Sequence, residues 1–160
     1  MIRDFQLDDI EQLVEIYNYY IDNTVITFDR VSFTTDDFKQ KIKSIYNKYP
    51  FIIFEEKNEI LGFAYGSSWR AKPSYKHTAE STIYLKNGVS GKGIGTKLYT
   101  ELLQQLKQQK FHTIIGGLTL PNDTSIKLHE KLGFKKVAHF KEVGRKFDQW
   151  HDVAFWQLTF

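Results

Sequence analysis

Glu80-Ser81-Thr82-Ile83-Tyr84-Leu85, followed closely by Ser90-Gly91-Lys92-Gly93-Ile94-Gly95, decides the fold of this chain. The first six residues alternate as a strand does, and the glycines that follow mark a turn that other residues resist. Ile94, Leu98, Leu102 and Leu106, with Leu103, then recur at helical spacing to about Gln109. Glycines at the mouth of a helix let backbone N–H groups close around a phosphate, which the helix dipole also favours. Further on, Asn122-Asp123-Thr124-Ser125 and His129-Glu130-Lys131-Leu132-Gly133-Phe134 predict a second helix that carries a titratable side chain and stops at Gly133. A strand, a phosphate cradle and such a helix suit an activated, phosphate-tagged donor.

Working outward, Ile10, Leu13, Val14, Tyr17 and Ile21 predict a first helix, and Asp8 with Glu11 a capping-box-like start. A second helix is expected from Thr35 to about Tyr49, with Phe38, Ile42, Ile45 and Tyr49 on its inner face and Pro50 ending it. Phe51–Phe54 reads as a buried strand, and Glu56-Lys57-Asn58-Glu59 as a hairpin turn into Ile60–Ser68. Trp69–His77 is a polar loop. Thr113–Leu118 is a short apolar strand, and two last strands, about Lys135–Val143 and His151–Thr159, flank a connector at Gly144–Asp148. The order ααββ(loop)βαβαββ implies a parallel crossover around the glycine turn and antiparallel hairpins on either side. The expected fold is α/β: a mixed, mostly antiparallel sheet with helices on both faces.

At 160 residues the chain fits one domain, 1–160, and 41% hydrophobic with 16% aromatic residues suits an ordinary globular core. No cysteine is present, which excludes disulfides, thiolate metal sites and a cysteine-linked acyl-enzyme. No apolar run suggests a membrane span or an exported leader, so a cytoplasmic protein is expected. The balance of 22 Lys+Arg against 19 Asp+Glu is too even for a nucleic-acid surface. His77, His112, His139 and His151 show no paired ligand spacing, and no metal is expected.

Three phosphate-binding patterns compete for the glycine turn. A P-loop fails because Ile94 stands where lysine is required after Gly88 and Gly93. A dinucleotide fingerprint fails because its third glycine falls on Thr96 or Leu98, and no acid follows at the expected distance. The third pattern fits. An alternating strand, Gly93-Ile94-Gly95 opening a helix, a strand, and the segment from Asn122 to Leu132-Gly133-Phe134 resemble the GCN5-related N-acetyltransferase (GNAT) superfamily. Trp69-Arg70-Ala71-Lys72 with Tyr75, Thr78-Ala79-Glu80-Ser81-Thr82, Leu120-Pro121-Asn122-Asp123, Leu128-His129-Glu130 and Trp150–Leu158 resemble its phosphinothricin acetyltransferase family. Two positions depart from that pattern: Ser90 replaces a glutamine or arginine of the turn, and Lys72 replaces a substrate-side arginine, giving a point charge in place of a bidentate fork.

The resemblance implies acetyl-CoA as co-substrate. Main-chain groups of Ile83, Tyr84 and Leu85 would meet its pantetheine arm, with Asn122 beside them; helix N-capping is the plainer task for Asn122. The turn Gly91, Lys92, Gly93, Ile94, Gly95 and Thr96 would hold its pyrophosphate. Glu80, on one strand face with Thr82 and Tyr84, would be the general base. An α-amino group titrates near 8 and is mostly protonated at neutral pH, so it must lose a proton before it attacks a thioester. The plainer reading of Glu80 is an ion pair with Lys72, Arg70 or Lys76. His129, on the face of Asn122, would assist departure of the thiolate or orient the site. Lys72, Tyr75, Arg70 and Phe28 are the substrate-side candidates. A small amine, an anionic amino acid or analogue such as phosphinothricin, methionine sulfoximine or methionine sulfone, is the implied partner, and a homodimer the implied assembly. A different amine, or a non-catalytic acyl-CoA sensor, is the alternative.

Overall fold

The computed structural model describes residues 1–89 and 91–160; Ser90, the departure noted in the glycine turn, lies outside the described residues. Seven strands form one sheet: β1 (Ile2–Asp4), β2 (Phe51–Glu56), β3 (Glu59–Ser68), β4 (Thr78–Leu85), β5 (Thr113–Thr119), β6 (Lys135–Lys146) and β7 (Gln149–Thr159). Their order across the sheet is β1-β2-β3-β4-β5-β7-β6, antiparallel throughout except for the β4–β5 pair. Four helices accompany them: α1 (Ile10–Asn23), α2 (Thr35–Tyr46), α3 (Ile94–Gln108) and α4 (Asp123–Lys131).

The central strands are covered on both faces, which explains why they read as nearly unbroken apolar runs. On β3, Leu61 and Ala64 join Leu98, Leu102 and Leu106 of α3 in one core. Phe63 and Tyr65 join Leu13, Tyr17 and Ile21 of α1 and Phe38 and Ile42 of α2 in the other. Trimming one of the buried α3 leucines to alanine would cost about 2–5 kcal/mol.

What positions the site is a short pairing. The parallel strands β4 and β5 are in register only at Thr78↔Thr113, Ala79↔Ile114 and Glu80↔Ile115. Beyond that point β4 stays with β3 as far as Leu85, and β5 stays with β7 as far as Thr119. The sheet therefore parts just after Glu80. Past that point the facing edges of the two strands make no sheet hydrogen bonds to each other, and the Leu85 carbonyl accepts from the Tyr20 hydroxyl at 2.6 Å.

Several boundaries differ from the sequence reading. The short edge strand β1 was not expected. The helix start near Asp8 is a 3-10 turn, Leu7–Asp9, whose box is closed by Asp9 Oδ2 accepting from the Gln6 N–H at 2.7 Å. Helix α2 ends at Tyr46, and Tyr49 stacks on Phe111 at 5.7 Å within the α3 core instead of on the inner face of α2. The expected connector Gly144–Asp148 is mostly strand: β6 runs to Lys146, and Phe147 and Asp148, with φ of 51° and 58°, make the turn.

Candidate active site

The parting of β4 and β5 opens a cleft of about 270 Å³, lined by Glu80, Ser81, Thr82, Gly117, Asn122 and His129 among others. Glu80 is half-buried, and burial pushes its carboxyl pKa above the ordinary glutamate value. No ion pair or hydrogen bond reaches its side chain among the described residues, so the ion pair with Lys72, Arg70 or Lys76 is not formed. Gly117 on β5 faces it: a methyl group there would lie 3.6 Å from Glu80 Oε1 and 2.8 Å from Phe155 Cε1. An unpaired, partly desolvated carboxylate facing a cleft is the arrangement a general base requires.

His129 lines the same cleft from the other face of the sheet and is almost fully buried. Its Nδ1 lies 2.7 Å from the Ser125 carbonyl, which only accepts, so Nδ1 carries the proton. Its Nε2 is 2.9 Å from the Tyr99 hydroxyl, and that hydroxyl is 2.5 Å from Ser81 Oγ. One consistent set of protons follows: Tyr99 donates to His129, and Ser81 donates to Tyr99, its nearer partner, with the Ile115 carbonyl a second acceptor at 3.3 Å. Burial pushes the imidazole pKa down, against the Ser125 carbonyl, which raises it; burial likewise raises that of Tyr99. Both groups are neutral at pH 7. Gly116 makes room for the ring, since a methyl group there would overlap it.

A groove of about 250 Å³ continues from the cleft, sharing Ile26, Ile83, Asn122 and Ser125 with it, and running past Tyr20, Leu85, Gly88 and Leu128. Asn122 serves two ends here: its side-chain oxygen accepts from the Ser125 N–H at 3.2 Å, capping α4, and the residue lines both cavities. Tyr84 lines the cleft and turns its ring into the α1 core, 5.1 Å from Tyr17. Gly91 and Gly93 take φ of 83° and 75°, the left-handed region that favours glycine, and Gly93 leads into α3. Lys92 is exposed, Thr96 half-buried, Ile94 and Gly95 buried. None of Gly91–Thr96 lines a described cavity, but Gly95 abuts Leu85 and Leu128, the walls of the groove.

The sequence profile of the acetyltransferase (GNAT) domain matches residues 2–155. This chain belongs to the GNAT family. It is 37% identical over 154 residues to a phosphinothricin N-acetyltransferase of Streptomyces coelicolor, covering 94% of this chain and 90% of that one. It is 30% identical to an L-methionine sulfoximine/L-methionine sulfone acetyltransferase of Salmonella typhimurium, over 94% of this chain and 88% of that one. Its fold matches the crystal structure of a GNAT phosphinothricin acetyltransferase of Sinorhizobium meliloti in complex with acetyl-CoA, with a TM-score of 0.95 at 30% identity over 99% of this chain and 87% of that one. As a GNAT protein of this branch, the chain is an N-acetyltransferase.

The GNAT cleft opens on its other side toward the substrate-side candidates, which divide. Phe28 lines the cleft and also a neighbouring apolar cavity of about 630 Å³. Arg70 lines that second cavity, its guanidinium 5.1 Å from the Trp69 ring. Lys72 and Tyr75 stand exposed in the loop before β4 and line none of the described cavities. Ser81, Tyr99, Thr82, Gly117 and Phe155 belong to the site and were not singled out from sequence. Ser81, on the strand face opposite Glu80, was the available signal: a hydroxyl turned toward a buried helix needs a partner there.

Proposed function

We propose that this enzyme transfers acetyl from acetyl-CoA to the α-amino group of a small amino acid or analogue, with phosphinothricin, methionine sulfoximine and methionine sulfone as candidate acceptors. The unpaired carboxylate of Glu80 at the parting of the strands carries this reading. The groove suits a pantetheine arm, being apolar along Ile83, Leu85 and Leu128 and polar at Asn122, and it begins beside the glycine turn that opens α3. Acetyl-CoA supplies the activated thioester. Main-chain groups of Ile83–Leu85 would hold the arm, and backbone N–H groups from Gly91 to Thr96, with Lys92, the pyrophosphate.

Glu80 takes the proton from the acceptor ammonium, leaving the amine free to attack within a ternary complex; the chain has no cysteine to carry the acyl group itself. Holding both substrates in the cleft makes the encounter effectively unimolecular, and base assistance adds about 10²–10⁴-fold. His129 serves departure of the thiolate in a narrower way than a free acid would. With one nitrogen on Ser125 and the other on Tyr99, it has no spare proton, so it orients the sulfur end of the cleft. Arg70 on the neighbouring cavity, with Lys72 exposed on the loop outside it, would draw an anionic acceptor toward the cleft in preference to a polyamine. Trp150, exposed at the end of the β6–β7 hairpin, suits the contact of a cytoplasmic homodimer.

Calorimetry with acetyl-CoA, followed by thiol release over a panel of amino acids, peptides and polyamines, tests the reading. Release with α-amino acids supports it. Release only with peptide N-termini, lysine or polyamines moves the acceptor class, and tight binding with no release by any amine makes the protein a sensor.

A further inference from the structure

The end of the β6–β7 hairpin reaches across the sheet to the loop between α1 and α2 and holds it with a buried cation. Lys146 is 2% exposed, and its ammonium donates to the Thr27 carbonyl at 2.8 Å. Thr27 is also buried, its Oγ1 2.9 Å from the Tyr17 hydroxyl, which in turn donates to Asp29. The next residue, Phe28, packs against Gly144, where a methyl group would overlap the ring. Its other neighbour on the hairpin is His151, with ring centroids 6.4 Å apart. Phe28 thereby forms, with Val153 and Phe155, the wall common to the Glu80 cleft and the apolar cavity lined by Val137, Phe140 and Val143. Burying an ammonium is costly, and an apolar side chain would fill the space more cheaply. What lysine adds is a charge that feels Asp29 and Asp22 and a donor for one carbonyl, at the residue before that wall.

We propose that Lys146 sets the size of acceptor the enzyme takes: by pinning Thr27 it keeps Phe28 seated on Gly144, as a partition between the 270 Å³ cleft and the 630 Å³ apolar cavity. The inference rests on the reading of the enzyme as an α-amino acetyltransferase. Lys146 touches no reacting group and is a positioning residue. With the partition seated, the cleft takes short, polar side chains. With it loosened, an amino acid carrying a large apolar side chain extends into the cavity beyond.

The test compares kcat/KM for methionine sulfoximine and for phenylalanine in the wild type, Lys146→Met and Gly144→Ala. Both variants are expected to raise the phenylalanine-to-sulfoximine ratio by about tenfold, the scale of discrimination by a hydrophobic pocket wall, with the KM for acetyl-CoA unchanged. A wild-type ratio in folded Lys146→Met overturns the proposal, whatever Gly144→Ala does. Should Lys146→Met not fold, Gly144→Ala displaces Phe28 with the lysine intact, and adding Phe28→Ala to it should then change the ratio little further; an additive change counts against the partition. If the wild type acetylates no α-amino acid, the functional reading fails by itself. The clamp is then decided by amide exchange at residues 24–29: faster in Lys146→Met supports it, unchanged overturns it.

Discussion

Glu80 and His129 stand at the same parting of β4 and β5 but on opposite faces of the sheet, and their surroundings differ in kind. Glu80 has no side-chain partner among the described residues, and burial raises its pKa. His129 has both nitrogens bonded, within a buried run of Ser81, Tyr99 and the Ser125 carbonyl. The first group is left ready to take a proton; the second is locked. Two titratable side chains named together from sequence thus stand in different surroundings, and the proposed mechanism gives the proton transfer to Glu80 alone.

The contrast is sharpest in turnover. Glu80→Gln should lower kcat by about 10²–10⁴-fold at pH 7 while calorimetry finds acetyl-CoA affinity little changed. An equal loss from His129→Asn, with the alkaline limb of the pH profile removed, would break the division and make the histidine an acid. In stability the order reverses. His129→Ala opens a cavity and strands the Tyr99 hydroxyl, and should cost about 2–4 kcal/mol in urea unfolding. Tyr99→Phe should cost about 1–3 kcal/mol, with a smaller loss of activity than Glu80→Gln.

The pH dependence of stability sharpens the same point. Burial puts the folded pKa of Glu80 above its unfolded value of about 4.3, so the folded protein keeps this proton where the unfolded chain has lost it. Its contribution is fully present below the unfolded pKa and is lost as pH rises through the folded one. Glu80→Gln should therefore melt above the wild type at pH 8, and the gap should close near pH 4, as read by calorimetric melting. The smallest effects belong to the exposed loop: Lys72→Ala should raise the acceptor KM a few-fold at constant kcat, which loss of binding shared by the ground and transition states would produce.

Much of this was legible in the chain. The strand at Glu80, the left-handed glycines before α3 and the Gly133 stop announced themselves because each imposes a local backbone condition. Three things did not. The turn at Phe147–Asp148 uses positive φ without glycine, and register shifts near Lys136 and after Phe140 blur the alternation of β6, so its length was hidden. Ser81 and Tyr99 are ordinary strand and helix residues until α3 lies under β4. Lys146 and Thr27, far apart in the chain, meet only once the hairpin crosses to the α1–α2 loop. Local conditions can be read from sequence; encounters made by the topology cannot.

The most direct measurement is single-turnover acetylation by Glu80→Gln and wild type from pH 6 to pH 10, with acetyl-CoA saturating. The account predicts a deficit that is largest below the acceptor amine's own pKa and shrinks above it, where the acceptor arrives already deprotonated. Rates for the variant that match the wild type at every pH would contradict it.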